Sequence, residues 1–327
     1  MTTVLVFVER EDGALTKGSL EALTLARGLA EAEGATLEAA TVGAVDEAVA
    51  GQLGTYGVTT VSAVLHDLLD DYSPDAYAEG LLQLVAARDP RAVVSPGSDR
   101  GAEVMAHVAA RADLPLAANC TAVTPADGAW ELTRVRWGGV LLEDARLEAA
   151  RGLFTVAPHQ VAAAPAADGG SAAVETFAPD LDEAVTVTRV RDREKEAEGV
   201  SLATAPVVVS GGRGVGSAEG FAVLEELAEL LGGAVGCSRV ATNNGWRSHN
   251  DQVGQTGTRV APDLYIACGI SGATQHWVGC MSSKRILAIN TDPEAPMVTR
   301  AHYAVLGDLH EFLPALVEEV KRKKGVA

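Results

Sequence analysis

Short runs of β-branched and aliphatic residues alternate with segments whose apolar residues recur every three or four positions, starting at Val4. That rhythm restricts the chain to parallel strands joined by helical crossovers. A strand covered on both faces reads as a continuous apolar run, and parallel neighbours need a long connection between them. Strands are expected near Val4 to Val8, Thr36 to Val42, Thr60 to Leu65 and Ala92 to Ser95. Between them, Leu20, Leu23, Ala26 and Ala30, then Leu81, Leu84 and Val85, mark helices with one buried stripe.

After Leu114 the pattern changes. Cys120 to Val123, Trp130 to Trp137, Leu147 to Thr155 and Val185 to Val190 read as strands with few helix signals between them, and Ala162 to Gly170 reads as an exposed loop. A charged stretch, Arg191 to Glu198, then precedes a new strand start at Pro206 to Ser210. The boundary falls near residue 200, giving domains 1–200 and 201–327. The second domain opens with strand Val207 to Val209, the turn Gly211-Gly212-Arg213-Gly214-Val215-Gly216, and a helix carrying Phe221, Leu224, Leu227, Ala228 and Leu231. Gly232-Gly233 closes that helix. The expectation is an α/β protein of two domains, each a mainly parallel sheet flanked by helices, the C-terminal one doubly wound.

Composition excludes several classes. A chain of 327 residues at 47% hydrophobic content can bury full cores, and it contains no apolar run of about 18 residues, which argues against membrane insertion. Thr2 to Val8 is followed at once by Glu9, Arg10, Glu11 and Asp12, unlike a secretory signal, so a cytoplasmic or equivalent reducing location is expected. Cys120, Cys237, Cys268 and Cys280 show neither Cys-x-x-Cys nor metal-ligand spacing, which points to buried reduced thiols and no metal site. A formal charge of −18, from 44 acidic against 26 basic residues, repels polyanions and disfavours nucleic acid. The basic cluster Lys321 to Lys324 follows the stripe Leu313, Leu316, Val317 and Val320 and reads as a solvated helix end.

The chemistry concentrates between Val253 and His276, where two loops flank the short strand Leu264 to Cys268. Ligands of open α/β sheets sit beyond the carboxyl ends of strands, so Gly269 to His276 can offer amides and side-chain donors to phosphate or ring oxygens. The turn after Val209 could cradle a pyrophosphate with Arg213 as a bidentate clamp, or serve only as a tight structural turn. It departs from the dinucleotide fingerprint: Ser217 occupies the third glycine position, and Ser238 and Arg239, with no acid, follow the strand Ala234 to Cys237. Arg239 stands where a cofactor would lie, its alternative being an ordinary surface ion pair. Gln255, Thr256, Ser271, Gln275 and His276 supply donors without a carboxylate base, and no nucleophile, base and orienting acid stand together. This favours holding a redox group over acting on a substrate. Asn290-Thr291-Asp292-Pro293 is another strand-end turn, open to a ribose or phosphate reading and to a plain Asx turn.

Taken in order, GGRG at Gly211, SR at Ser238, DQVGQTG at Asp251, LYIACGISGATQH at Leu264, AINTDPEAP at Ala288 and GDL at Gly307 resemble the electron transfer flavoprotein alpha subunit. DRGAEVMAHVAARADLPLAANC from Asp99 is a weaker match in the first domain. The resemblance implies that the second domain binds FAD and that a beta subunit, itself holding AMP or a second FAD, completes a heterodimer contacted by the first domain. It also implies a Rossmann-like electron carrier without substrate bond chemistry. Electrons would come from flavin dehydrogenases, such as the acyl-CoA dehydrogenases of fatty acid β-oxidation, and pass to a quinone oxidoreductase. Carried over position by position, it puts on FAD Arg213, Ser238, Arg239, the loop Gln252, Val253, Gly254, Gln255 and Thr256, the loop Ser271, Gly272, Ala273, Thr274, Gln275 and His276, and then Asn290, Asp308 and Leu309.

By the same resemblance Arg239 lies over the flavin ring, Thr256 bonds its reactive central nitrogen and His276 faces the pyrimidine carbonyl. These three are then the expected redox-tuning residues. The segment Thr242 to Asn250, TNNGWRSHN, departs from the acid-containing segment usual in the family. Two other readings of the residues stay open: an NADP-linked oxidoreductase in which Arg239 meets the extra ribose phosphate, and a non-redox module that holds only an adenine nucleotide.

Overall fold

The computed structural model describes residues 2–191 and 200–326. The chain divides into two compact units, Met1–Arg193 and Glu194–Ala327. Most of the charged stretch Arg191 to Glu198 lies outside the described residues.

In the first unit the parallel strands are β1 (Thr3–Phe7), β4 (Thr36–Val42), β5 (Thr60–Val64), β6 (Ala92–Pro96), β7 (Leu116–Ala126), β10 (Gly152–Val156) and β11 (Ala173–Phe177). Two further strands, β8 (Ala129–Arg136) and β9 (Leu141–Leu147), extend this sheet antiparallel to β7, and a small hairpin pairs β2 (Arg10–Glu11) with β3 (Ala14–Leu15). The nine-stranded order is β11-β5-β4-β1-β6-β10-β7-β8-β9. The helices are α1 (Lys17–Glu33), α2 (Glu47–Thr55), α3 (Pro74–Arg88) and α4 (Asp99–Ala112). Each begins at a side chain that caps it: Thr16, Asp46, Ser73 and Ser98 accept from the backbone amide three residues on. Leu23, Ala26 and Leu53 pack on one face of the sheet with Val4 and Val6, while Leu81, Leu84 and Val104 pack on the other with Leu5 and Val93. Alternate residues of β1 thus serve opposite layers.

Two sequence expectations change here. Leu147 to Thr155 is not one strand: the end of β9 and the start of β10 are separated by residues 148–151. Val185 to Val190 forms no strand, because Asp182 caps a short 3-10 turn over Glu183–Thr186. Val187 is 84% exposed, so the alternating valines imitate a half-buried strand without a face to bury. In addition, β9 and β11 escape the sequence pattern, being edge strands whose residues are mostly exposed.

The second unit is a five-stranded parallel sheet of β12 (Val207–Gly211), β13 (Ala234–Cys237), β14 (Leu264–Cys268), β15 (Ile286–Asn290) and β16 (Tyr303–Leu306), in the order β13-β12-β14-β15-β16. Its helices are α5 (Ala222–Leu231), α6 (Arg239–Asn243), α7 (Thr274–Cys280), α8 (Pro296–Arg300) and α9 (Leu309–Lys324). Leu224 and Leu227 of α5 and Leu313 and Val317 of α9 cover one face with Ile266, whereas Cys280 of α7 and Met297 of α8 share the other with Tyr265. Each fully buried aliphatic side chain of this kind contributes about 1.5–3 kcal/mol. The sheet is doubly wound, and its order reverses between β12 and β14. That switch point is where such a fold leaves a crevice for a ligand.

All four cysteines are buried and unpaired, and burial pushes their thiols up to about 12. Lys321 and Arg322 at the end of α9 pair with Glu226, Glu318 and Glu319, which accounts for the basic cluster as a solvated helix end. Among the described residues no helix is long and apolar enough to cross a membrane.

Candidate functional site

A cleft of about 560 Å³ opens at the switch point, walled by the loops that leave the carboxyl ends of all five strands of the second unit. Its floor explains the glycine-rich turn. The Gly212 amide donates to the Cys268 carbonyl at 2.9 Å and the Gly214 amide to the Gly269 carbonyl at 3.1 Å, so the loops after β12 and β14 lie backbone on backbone. A Cβ on Gly269, whose φ is +62°, would stand 2.7 Å from the Gly214 Cα. The long helix expected right after this turn starts only at Ala222; short 3-10 turns over Arg213–Val215 and Glu219–Phe221 come first.

Ser238 and Arg239 follow β13. The Ser238 amide donates to the Gly211 carbonyl at 2.9 Å, which holds the residue in register beside the glycine turn. Ser238 occupies the N-cap position of α6, yet its hydroxyl caps nothing. It is 8% exposed and its Oγ has no hydrogen-bond partner among the described residues. Leaving a buried hydroxyl unsatisfied costs about 1–3 kcal/mol, so a group from outside the chain is the natural acceptor. Arg213 and Arg239 are exposed at the cleft, and among the described residues neither guanidinium has an ion pair or hydrogen bond.

Beyond β14, Ser271, Gly272, Ala273, Gln275 and His276 line the cleft; beyond β15 and β16, Asn290, Asp308 and Leu309 do the same. Asn290 forms the Asx turn: its Oδ1 accepts from the Asp292 amide at 3.1 Å, while its Nδ2 donates to the Ile270 carbonyl at 3.0 Å. Two carboxylates reach the cleft, Asp292 and Asp308, from the loops that follow β15 and β16. Each has a local task, Asp292 accepting from the Glu294 amide and Asp308 from the His310 amide, both at 2.9 Å.

Thr274 and the loop Gln252 to Thr256 do not line the cleft. The loop is fastened beside it by the Gln255 amide, which donates to the Gln275 carbonyl at 2.7 Å. Gln252 and Val253 are 1% exposed, and the Gln252 side chain bonds to Thr242 and Thr256. Sequence reasoning gave no role to Val240 and Ala295, apolar wall residues that carry no polar signal.

His276 is 7% exposed, and its Nε2 stands 2.8 Å from the hydroxyl of the fully buried Tyr265. Desolvation pushes the imidazole down to about 4, against an upward pull from the Val253 backbone. The ring is therefore neutral at pH 7, and the fixed positive charge of the cleft comes from Arg213 and Arg239.

Residues 201–281 match the family model described as the electron transfer flavoprotein FAD-binding domain, and residues 4–182 match the electron transfer flavoprotein domain. The chain belongs to the electron transfer flavoprotein alpha-subunit family. It is 36% identical to the electron transfer flavoprotein subunit alpha of Thermoanaerobacterium thermosaccharolyticum over 324 residues, 98% of each chain. Against the subunit alpha of Mycobacterium leprae it is 38% identical over 325 residues, 99% of this chain and all of the other. The Bacillus subtilis subunit alpha is 35% identical over 319 residues, 98% of this chain and 97% of the other. Membership gives this alpha-subunit chain electron transfer as its activity and FAD as its cofactor.

Proposed function

We propose that the cleft at the switch point holds the FAD of an electron carrier, with residues 201–327 as its FAD-binding domain and residues 1–200 as the domain that meets a beta subunit. The carrying observation is the trio at the ends of β12 and β13: the Ser238 hydroxyl and the guanidiniums of Arg213 and Arg239, which have no partner among the described residues. A diphosphate offers acceptors to the Ser238 hydroxyl and, through charge-assisted bidentate bonds, to the Arg213 guanidinium, which leaves Arg239 for the flavin ring.

When bound, FAD supplies the redox chemistry, taking up and giving back electrons one or two at a time. The protein's own groups hold and tune it. Arg239 supplies the fixed cation beside the ring and Thr256 a hydroxyl to the central nitrogen; His276, kept neutral by burial, orients without adding charge. Gln252 to Gln255, Ser271 to Gln275, Asn290, Asp308 and Leu309 complete the grip. With a beta subunit carrying AMP or a second FAD, the heterodimer accepts electrons from flavin dehydrogenases such as acyl-CoA dehydrogenases. It then delivers them toward a quinone oxidoreductase in the cytoplasm, without making or breaking substrate bonds.

The test is the ligand of the co-expressed heterodimer. A flavin spectrum with FAD released on denaturation supports this reading. AMP without FAD, or tight NADPH binding to flavin-free protein, overturns it.

A further inference from the structure

The Thr256 hydroxyl ends a chain of three hydrogen-bonded side chains that runs under the loop beside the cleft. Gln252, 1% exposed, stands between two threonines. Its Oε1 accepts from Thr242 Oγ1 at 2.9 Å, and its Nε2 donates to Thr256 Oγ1 at 3.0 Å. The backbone at Gln252 is held as well: its amide donates to the His249 carbonyl at 3.1 Å and its carbonyl accepts from the Thr258 amide at 2.7 Å. Thr256 itself is exposed.

A hydroxyl has one proton. Because the Thr256 oxygen already accepts from Gln252, its own proton is not taken by Gln252 and remains to be offered elsewhere. Were the Gln252 amide turned over, Oε1 would take that proton and Thr256 would offer only lone pairs. Thr242 decides between these states. When its proton goes to Oε1 it holds the amide in the sense observed; the Arg239 carbonyl, 2.9 Å from the same hydroxyl, competes for that proton. A buried amide that loses one partner is under pressure to flip or to go unsatisfied.

We propose that Thr242 and Gln252 are positioning residues that hold the Thr256 hydroxyl as a proton donor toward the ligand of the neighbouring cleft. The inference rests on the FAD reading, in which the acceptor is a ring nitrogen that carries a lone pair while the flavin is oxidised.

The experiment is a double-mutant cycle in the FAD-loaded heterodimer, reading the FAD dissociation constant and the position of the flavin's visible absorption band. Thr242→Val, which removes the hydroxyl at nearly constant volume, is expected to weaken FAD about fivefold, the order of one neutral hydrogen bond, and to shift the band. Thr242→Ser keeps the hydroxyl and restores both. In a Thr256→Ala background the Thr242→Val change is expected to add nothing, since both act through one hydroxyl. A Thr242→Val protein indistinguishable from wild type, or an equal effect with and without the Thr256 hydroxyl, overturns this inference and leaves the FAD reading intact. A wild-type heterodimer that takes up no FAD overturns both.

Discussion

The two units use arginine in opposite ways. In the first, every described arginine is engaged: Arg88, Arg111 and Arg151 with carboxylates, Arg10 with the Val42 and Ala44 carbonyls, Arg100 over the Tyr72 ring. In the second, Arg247 and Arg322 pair with acids and Arg300 lies over Trp277, but Arg213 and Arg239 have no partner among the described residues. The difference teaches where the missing partner belongs. An arginine built into a fold finds its acceptor within that fold, whereas two free guanidiniums beside an unsatisfied serine hydroxyl await an anion from outside.

The largest expected effect sharpens that contrast. A cation about 4 Å from a developing negative charge, at an effective dielectric near 20, is worth up to about 4 kcal/mol. At about 59 mV for each 1.4 kcal/mol, Arg239→Ala should lower the first one-electron potential of bound FAD by as much as ~170 mV. Potentiometry reads it, and an unchanged first step removes Arg239 from the role. Arg111→Ala in the first unit should leave the potential alone and cost no more than about 1 kcal/mol of stability, since its ion pairs are at the surface.

The next effect comes from His276. Unfolded, it takes a proton near 6.5; folded, only near 4. Between those values the unfolded chain binds more protons, so stability rises with pH and is lost as pH falls from 6.5 toward 4. The full difference is about 3 kcal/mol. Denaturant titrations across that window should show His276→Gln with a flatter profile than wild type; parallel profiles would mean the imidazole is not buried as described.

Smaller still is a pair of glycines. Gly269→Ala forces a Cβ against the Gly214 backbone at positive φ and should cost about 2 kcal/mol or more together with FAD affinity. Gly28→Ala, inside α1 with open space around it, should stabilise by about 0.5–1 kcal/mol. Thermal melts of the two variants moving in the same direction would break the comparison.

Much of this architecture is legible from residues alone, and the misses share a cause. Central strands such as Thr3–Phe7 and Leu264–Cys268 declare themselves because burial on both faces demands continuous apolar runs. The edge strands Leu141–Leu147 and Ala173–Phe177 bury little and leave no such mark, while Val185 to Val190 shows the period without the burial. At the site, strand-end position and polar type single out Arg213, Arg239 and Asn290, while Ser238 enters only through the family resemblance. The proton on Thr256 and the neutrality of His276 depend instead on Gln252 and Tyr265, buried groups whose contact with them follows from the folded loop and from the sheet beneath it.

The most direct trial of the account is the FAD dissociation constant of the heterodimer with Arg213→Ala and Arg239→Ala combined. Each removes a charge-assisted contact worth about 1.5–3 kcal/mol, so affinity should fall about 100-fold or more. The melting temperature of the FAD-free protein should stay unchanged, because neither guanidinium has a partner within the described residues to lose. FAD binding within about twofold of wild type would contradict the claim that these two arginines are held free for the cofactor.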